Sequence, residues 1–389
     1  MDKLYEHFHK LLAETDTNFR RYIYADIDWN SRMIGLTGPR GVGKTTLLLQ
    51  HIKTELSTKE SLYVNAEDFY FAENRLIDLA DTFVKKGGKY LIVDEIHKYE
   101  EWSKELKLIY DYYSELNIIF TGSSVLDIKK GVSDLSRRAV MYHMQGLSFR
   151  EYLELFHAIK IEMVSLENIL NQEVKPGLLK HPLIYFSDYL KNGYYPFSLD
   201  DNYEIRLKQI INQTLETDIP LYAGMNASTG RKLKQLLSII SKSVPFKPNF
   251  TSIATSLAAS RNNIADYCQY IEDAGMIIQL RHDTGGIKGL GKVDKIYLDN
   301  TNLIYTLANE EANIGNIRET FFINQLRVRY PVVTSSVSDF QVEENVFEIG
   351  GKNKSQKQIS TSKNGFVVKD DIEYGYLNVI PLWQFGLIY

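Results

Sequence analysis

The chain has 389 residues, of which 44% are hydrophobic and 24% charged, so it is long enough for two or three domains with buried cores. Its 45 Lys and Arg against 49 Asp and Glu give a net charge of −4, which excludes a globally basic nucleic-acid coat and a disordered polyelectrolyte, but not a local basic patch. The single cysteine, Cys268, excludes an intramolecular disulfide framework and a cysteine-based zinc site and is typical of a reducing cytosol.

Residues 1–16 predict a short amphipathic helix rather than a signal peptide. No uncharged apolar run approaches the roughly 20 residues that a membrane-spanning helix needs. We therefore expect a cytoplasmic protein with no membrane partner.

Up to about residue 150, short apolar runs alternate with amphipathic stretches. The runs predict strands, and stretches such as Thr45–Leu56 and Glu105–Tyr113 predict helices. The predicted strands are Met33–Leu36, Leu62–Val64, Tyr90–Val93, Ile118–Phe120 and Ala139–Met144. Alternation of this kind is typical of an α/β fold, in which a parallel sheet carries helices on both faces.

Between the first strand and the first of these helices lies the sequence GPRGVGKT, residues 38–45, which satisfies the pattern G-x-x-x-x-G-K-[ST]. Glycines in such a loop let backbone N–H groups point inward and form an anion nest at a helix N-terminus. We expect Lys44 to reach the β- and γ-phosphates and the Thr45 hydroxyl to ligate Mg²⁺. The residues predicted to contact the nucleotide are Gly38, Pro39, Arg40, Gly41, Val42, Gly43, Lys44, Thr45 and Thr46.

The third predicted strand ends in two carboxylates, Asp94 and Glu95. A central parallel strand delivers its C-terminal residues beside the first strand-to-helix loop, where ligands bind in such sheets. We expect Asp94 to hold the Mg²⁺ shell and Glu95 to polarise the attacking water as a general base, a role worth on the order of 10²–10⁴ in rate. A residue that only caps the next helix is the alternative for either carboxylate alone.

Further polar residues are candidates for the same site. Ser123 follows the fourth strand and can sense the γ-phosphate or orient the water, with Ser124 as second choice; a plain turn is the alternative. Arg137 or Arg138 can complete a neighbouring subunit's site as an arginine finger, worth roughly 10³–10⁵ in rate, unless the pair is a solvated basic turn. His97 directly follows the carboxylate strand; we predict a surface histidine at the start of a helix, and a residue that orients a group at the site is the alternative.

Four segments together resemble the predicted AAA+-type ATPases of bacteria and archaea: GPRGVGKTTLL, YLIVDEIHKYEEWSKELKLIYD, NIIFTGSS and LSRRAVMYHMQGLSFREYL. In that family the ATPase unit is followed by a C-terminal region of unknown function. Tyr189–Pro196 resembles the glycine–tyrosine–proline turn of the family, and FEIGGKNKSQKQI near the end is also similar to it. The resemblance implies a P-loop NTPase fold and ATP as the ligand, consistent with the absence of an N-K-x-D guanine-reading motif.

The ATPase domain is expected at residues 1–150, and three smaller units are expected beyond it. They are a helical region at 151–229, a winged-helix-like domain at 230–310 and a nuclease-like α+β domain at 311–389.

In the second of these units, residues 247–258 predict a capped helix, and Asn263–Asp273 predict a second helix after a short turn. Ile264, Cys268 and Ile271 share one apolar face, which makes Cys268 a buried structural thiol rather than a nucleophile. Two runs, 276–280 and 295–298, complete the pattern as a two-stranded wing.

DNA is a candidate partner of this winged unit, because residues 230–310 carry 10 Lys and Arg against 7 Asp and Glu, a local charge of +3. The free face of the second helix offers Arg261, Asn262 and Gln269, but also Asp266 and Asp273, whose charge opposes phosphate binding. A winged helix used for packing or as a lid is the alternative.

In the last unit, Arg318–Glu319 opens a helix, and two strand-like runs carry Asp339 and Glu348. The pattern D…E-x-K resembles the core of restriction-type nucleases, in which two carboxylates hold Mg²⁺ and a lysine activates water. Gly350 stands where that lysine belongs, and the nearest lysine is Lys352. We therefore expect a nuclease-like fold that has lost its chemistry and serves recognition.

The predicted function is that of an ATP-binding protein and Mg²⁺-dependent ATPase, a nucleotide-driven switch on a nucleic-acid or protein partner, with a homo-oligomer as its candidate assembly. The alternatives are a DNA-binding or nuclease module gated by ATP and a nucleotide-dependent signalling scaffold.

Overall fold

The computed structural model describes residues 1–122, 135–175, 177, 179–242, 245–282, 292–307, 312–352, 354, 359 and 362–389. These residues form two compact units, Met1–Gln145 and Gly146–Tyr389. The first unit ends near the predicted boundary at residue 150, and the second contains the segments predicted beyond it. The finer boundaries at residues 229 and 310 stay predictions.

The first unit is built on a five-stranded parallel sheet in the order β2-β3-β4-β1-β5. Its strands are β1 (Met33–Thr37), β2 (Ser61–Asn65), β3 (Tyr90–Asp94), β4 (Asn117–Gly122) and β5 (Val140–His143). The flanking helices are α1 (Asp2–Glu14), α2 (Lys44–Glu55), α3 (Tyr70–Glu73), α4 (Leu76–Lys85) and α5 (Trp102–Tyr112), with 3₁₀ turns at Tyr22–Ala25 and Ile96–Lys98. The predicted α/β fold with a parallel sheet is confirmed.

The central strands are apolar along their length because helices cover the sheet. All five residues of β1 are buried, and only Tyr90 at the start of β3 is partly exposed. The strands run parallel, so β1, β3 and β4 all deliver their carboxyl ends to the same edge of the sheet. Chemically active side chains that follow these strands therefore converge there.

The second unit is mainly helical before its own sheet. Its helices are α6 (Phe149–His157), α7 (Leu166–Leu170), α8 (Pro182–Asn192), α9 (Tyr203–Gln213), α10 (Ile219–Tyr222), α11 (Ala227–Ser241), α12 (Phe250–Ser256), α13 (Arg261–Asp273), α14 (Thr301–Leu307) and α15 (Ile314–Leu326), with a π-helical turn at Thr214–Asp218 and a 3₁₀ helix at Leu382–Leu387. A hairpin pairs β6 (Ile277–Arg281) with β7 (Val293–Leu298). The remaining strands are β8 (Val332–Thr334), β9 (Phe340–Val342), β10 (Asn345–Gly350), β11 (Gly365–Lys369) and β12 (Val379–Pro381), in the order β12-β11-β10-β9-β8.

The two helices and the hairpin expected in residues 247–298 are present as α12, α13, β6 and β7, although α12 is shorter than predicted. Ile264, Cys268 and Ile271 are all buried, as their spacing predicts. Burial, followed by the charge of Glu272, raises the pKa of Cys268 to about 12, which keeps the thiol protonated. The winged-helix assignment itself stays a prediction.

One buried carboxylate explains why the second unit is compact across the boundaries predicted within it. Asp299 is fully buried and accepts hydrogen bonds from Tyr194 Oη (3.1 Å) and from the guanidinium of Arg327, while its backbone oxygen accepts from Asn324 (2.8 Å). Asp299 itself lies in the segment predicted as winged, and these partners come from the segments predicted as helical and C-terminal. A buried charge is stable only when its hydrogen bonds are complete, so the three segments depend on one another.

Within the described ranges, none of the helices combines the length and the apolar character needed to cross a bilayer.

Candidate nucleotide-binding site

The loop between β1 and α2 has the backbone conformation that its glycines permit. Gly38, Gly41 and Gly43 have φ values of 149°, 79° and 97°, a region that favours glycine. A side chain at Gly38 would also overlap the carbonyl oxygen of Met144. α2 begins at Lys44, directly after the third glycine, so the loop lies at a helix N-terminus that attracts anions.

Lys44 is buried beneath this loop. Its ammonium donates hydrogen bonds to the backbone oxygens of Gly38 and Pro39, both at 2.8 Å. Burial lowers the pKa of Lys44 to about 8, and the negative charges of Glu95 and Asp94 oppose that shift. The amine is therefore held inside the loop, where it can exchange carbonyl oxygens for phosphate oxygens.

Asp94, at the end of β3, is 2% exposed and is surrounded by hydroxyl donors. Its Oδ2 atom accepts from Thr45 Oγ1 at 2.6 Å and from Tyr63 Oη at 2.7 Å. Its Oδ1 atom accepts from the Thr121 hydroxyl and, at 3.2 Å, from the backbone N–H of Glu95. The structure thus brings Thr45 and Asp94, the two predicted magnesium ligands, into direct contact.

Glu95 leaves the strand with a left-handed backbone (φ 50°), and its side chain is 19% exposed. His97 Nε2 lies 3.5 Å from the Glu95 carboxylate, and the His97 side chain is 2% exposed. Burial, reinforced by nearby cations, lowers the pKa of His97 to about 3, so this imidazole is neutral at physiological pH. The prediction of a surface histidine is wrong, because the turn after β3 folds the ring inward beside Glu95.

Sequence reasoning missed two hydroxyl residues of this site. Thr121 is the penultimate residue of β4, the strand between β1 and β3, and Tyr63 lies on β2 on the other side of β3. The run Thr121-Gly122-Ser123-Ser124 drew attention to the serines after the strand, whereas the hydroxyl that reaches Asp94 belongs to the threonine within it. Ser123 and Ser124 lie outside the described residues.

A buried arginine was also missed. The guanidinium of Arg21, which is 5% exposed, donates to the backbone oxygen of Val42 in the phosphate loop and to that of Gln145 at 2.8 Å. The Met144 N–H donates to Thr37 O at 2.8 Å, at the end of β1. The last residues of the first unit are thus attached to the phosphate loop. Arg21 lies seventeen positions before Gly38, so no local motif connects the two.

The two arginine-finger candidates differ in their surroundings. Arg138 makes a bidentate pair with Asp111 of its own chain, with Nε and Nη2 each 2.9 Å from a carboxylate oxygen. Arg137 is exposed. Of the predicted nucleotide contacts, Thr46 is exposed at the third position of α2, and Arg40 is half-buried.

The C-terminal carboxylates have cationic neighbours. Lys295 Nζ lies 3.9 Å from Asp339 Oδ1, and Lys354 forms an ion pair with Glu348. A side chain at Gly350 would overlap the side-chain carbons of Lys354, so Lys354 occupies the space in which a lysine at position 350 would begin. Across the part of the chain that the structure describes, no group of three or more His, Cys, Asp or Glu can hold a metal ion. The nuclease-like assignment stays a prediction.

The residues of the first unit fit a magnesium nucleotide. The loop provides an anion nest with a lysine inside it, and Thr45 and Asp94 place the oxygen donors that Mg²⁺ prefers at its mouth. Phosphoryl transfer depends mainly on positioning and charge stabilisation, which these groups can supply.

Comparison with known proteins agrees with this arrangement. Residues 30–153 match the model of an AAA domain, and residues 184–313 match a domain of unknown function, DUF8612. An uncharacterized protein of Methanocaldococcus jannaschii is 26% identical over 280 residues, covering 67% of this chain and 58% of that protein. The matched segment therefore spans less than two thirds of this relative's length.

Two solved structures with similarity to the chain are a Walker-type ATPase of Pyrococcus abyssi and AMPPCP-bound DnaA from Aquifex aeolicus. The first is 13% identical with a TM-score of 0.46 and covers 76% of this chain and 99% of the other. The second is 12% identical with a TM-score of 0.29 and covers 67% and 81%. The AAA-domain match lies over the phosphate loop and the parallel sheet, and the match to a domain of unknown function lies beyond it. The predicted resemblance to AAA+-type P-loop ATPases with a C-terminal domain of unknown function is therefore confirmed.

Proposed function

We propose that this protein binds ATP with Mg²⁺ and hydrolyses it, and that the nucleotide state acts as a switch on a partner. The observation that carries the proposal is the convergence of Lys44, Thr45, Asp94 and Glu95 at one edge of the sheet. Each group has the charge or the lone pairs that its assigned role needs.

The roles follow from these positions. Lys44 would exchange its bonds with the Gly38 and Pro39 carbonyls for bonds with the β- and γ-phosphates. Thr45 and Asp94 would hold Mg²⁺, which neutralises charge on the phosphates when it is bound. Glu95 would accept a proton from the attacking water, and neutral His97 lies beside its carboxylate.

The switch is supported by the Arg21 contacts. Arg21 donates hydrogen bonds to both Val42 O and Gln145 O. A movement of the phosphate loop would therefore be transmitted through Arg21 to Gln145, the last residue of the first unit. A guanidinium suits this role because its fork of donors can bind two acceptors at once. Ligand-driven switching requires such an element, whose contacts differ between nucleotide states.

The hydrolysis proposal is tested with Glu95→Gln. Wild-type protein should release phosphate from ATP in the presence of Mg²⁺, and the variant should bind ATP with unchanged affinity while its turnover falls roughly 10²-fold or more. Glu73→Gln is a matched control, since Glu73 is an exposed glutamate at the end of α3. Equal turnover of Glu95→Gln and wild type would remove the role assigned to Glu95.

We propose a homo-oligomer in which Arg137 completes the neighbouring subunit's site, because Arg138 is already held by Asp111 while Arg137 is exposed. Subunits with Glu95→Gln and subunits with Arg137→Ala should each be inactive alone. Mixed oligomers should recover activity, because some interfaces then combine an intact Glu95 with an intact Arg137. A mixture that stays inactive, or an Arg137→Ala protein with full turnover, would contradict the role of Arg137 as an arginine finger.

DNA is the first candidate partner, and the observation that favours it is the pair of helices α12 and α13 followed by the β6–β7 hairpin. Arg261 and Asn262 are exposed at the start of α13, whereas Gln269 is engaged by Asp273 at 3.0 Å and by Arg281 at 3.3 Å. Asp266 is exposed on the same helix, and its negative charge opposes the binding of DNA phosphates.

A gel-shift titration at low salt, with and without ATP, tests the DNA proposal. Binding should weaken steeply as salt rises, and the double variant Arg261→Ala with Asn262→Ala should bind less than a control with Lys191→Ala, an exposed lysine at the end of α8. A flat titration would favour the other candidate, a protein partner, which should then be retained in a nucleotide-dependent pull-down.

A further inference from the structure

The carboxylate of Asp94 is oriented by other groups besides Thr45, the second predicted magnesium ligand. Both of its oxygens accept hydrogen bonds, and three of the four donors are side-chain hydroxyls, from Thr45, Tyr63 and Thr121. Thr45 belongs to the phosphate loop and helix α2, whereas Tyr63 and Thr121 lie on the strands that flank β3. The hydroxyls of Tyr63 and Thr121 thus donate hydrogen bonds to the Asp94 carboxylate from the two strands on either side of it.

Tyr63 has the longer side chain of these two residues, and both are buried. It is 4% exposed on β2, and its ring lies opposite Ile92 in the register with β3, so the hydroxyl reaches two residues along that strand to Asp94. Burial, followed by the negative charge of Asp94, raises the pKa of Tyr63. The hydroxyl consequently keeps its proton at physiological pH and acts as a donor to the carboxylate.

A hydroxyl donor orients a carboxylate without cancelling its charge. A lysine or arginine at the same place would compete with a cation, whereas a tyrosine fixes the direction of the lone pairs and leaves the charge in place. Groups that orient metal ligands from behind typically change metal affinity roughly 10- to 100-fold when removed.

We propose that Tyr63 is a positioning residue for magnesium, holding Asp94 through Oδ2 so that the nucleotide complex retains Mg²⁺ at low concentrations of the ion. The proposal rests on the proposed function, since it assigns to Tyr63 a part in the same site. Tyr63 touches neither nucleotide nor reacting water in this scheme and acts only through Asp94.

The test is the magnesium dependence of nucleotide binding, measured with a fluorescent ATP analogue and without any turnover. Tyr63→Phe keeps the buried ring and removes the hydroxyl. Its affinity for the analogue in EDTA should equal that of wild type within about twofold, while the Mg²⁺ concentration for half-maximal enhancement of binding should rise roughly tenfold or more. Tyr90→Phe, at the opposite end of the neighbouring strand, is the matched control and should change neither quantity.

A double-variant cycle separates positioning from a general structural effect. In an Asp94→Asn background, Tyr63→Phe should add no further change in magnesium dependence, because the only route of its action has been removed. Thermal unfolding of each variant checks the fold, and Tyr63→Met, which also lacks the hydroxyl, serves if the phenylalanine variant does not fold.

The outcomes distinguish this inference from the proposed function. A wild-type protein that binds no nucleotide overturns both. A wild type whose binding depends on Mg²⁺, together with a Tyr63→Phe protein of unchanged magnesium dependence, overturns the role of Tyr63 alone. An equal loss of affinity in EDTA and in Mg²⁺ overturns it as well, because that loss would reflect a damaged loop.

Discussion

Both units of this protein place carboxylates on or directly beside β-strands, but the groups around these carboxylates differ. Asp94 in the first unit accepts hydrogen bonds from uncharged hydroxyls and a backbone amide. Asp339 and Glu348 in the second unit lie beside the ammonium groups of Lys295 and Lys354. Among the described residues, Asp94 therefore has no ammonium or guanidinium group among its hydrogen-bond donors, whereas Asp339 and Glu348 each already lie beside a lysine ammonium.

Physical chemistry gives this contrast its meaning. A buried carboxylate that keeps its charge attracts a metal ion, whereas one paired with a lysine has its charge balanced and must lose that partner before a metal can bind. The first unit also buries a lysine, but Lys44 bonds to backbone carbonyls, which leaves its positive charge available for phosphate. Aspartate, glutamate and lysine are therefore arranged to bind a magnesium nucleotide in the first unit, whereas in the second unit they neutralise one another's charge.

The largest expected effect compares the two aspartates directly. Asp94→Asn should lower ATP turnover by at least ~10²-fold, because a metal ion supplies several kcal/mol of charge stabilisation in such reactions. Asp339→Asn should leave turnover unchanged, and neither wild type nor this variant should nick plasmid DNA in Mg²⁺ or Mn²⁺. Nicking that disappears in Asp339→Asn would reverse the comparison by showing that the lysine-paired site is active.

Removal of Lys354 should destabilise the second unit. The Glu348 side chain is 2% exposed, and Lys354→Ala leaves it without its ammonium partner, so the free energy of unfolding should fall by about 1–3 kcal/mol. Urea unfolding measures the change, and Lys363→Ala, at an exposed lysine before β11, is the control. An unchanged midpoint for Lys354→Ala would mean that Glu348 is not stabilised by this pair.

The smallest effect expected is a pH dependence of nucleotide binding through Lys44. Its pKa is lowered to about 8, so the free protein carries a protonated Lys44 below pH 8 and loses that proton as the pH rises. Because phosphate binding requires the charged amine, the affinity for an ATP analogue should be constant from pH 6.5 to 7.5 and weaken about tenfold per unit well above pH 8. Lys44→Arg, which stays charged, should remove this dependence. A wild-type affinity that stays constant up to pH 9.5 would contradict the assignment.

Local patterns were sufficient for the parts of the site that are contiguous in the chain. The loop Gly38–Thr45 and the pair Asp94–Glu95 each follow a predicted strand, and the structure places Thr45 against Asp94 as expected. The supports of that carboxylate were not predicted, because Tyr63 and Thr121 become neighbours of Asp94 only through the order of the strands. His97 was misjudged for a related reason, since the direction of a turn after a strand is decided by packing.

The sequence by itself determined the class of the protein: an α/β unit with a phosphate loop, an acidic strand end and a helix–helix–hairpin segment beyond it. These features are local, because each depends on the conformation of nearby glycines or on a hydrophobic periodicity that is visible within a few residues. Only the tertiary structure decided which groups meet. Arg21 reaches Val42 and Gln145, Tyr63 reaches Asp94, and Asp299 joins three segments of the second unit. Such contacts depend on strand order and on the burial of charge, which arise from the whole fold rather than from any stretch of sequence.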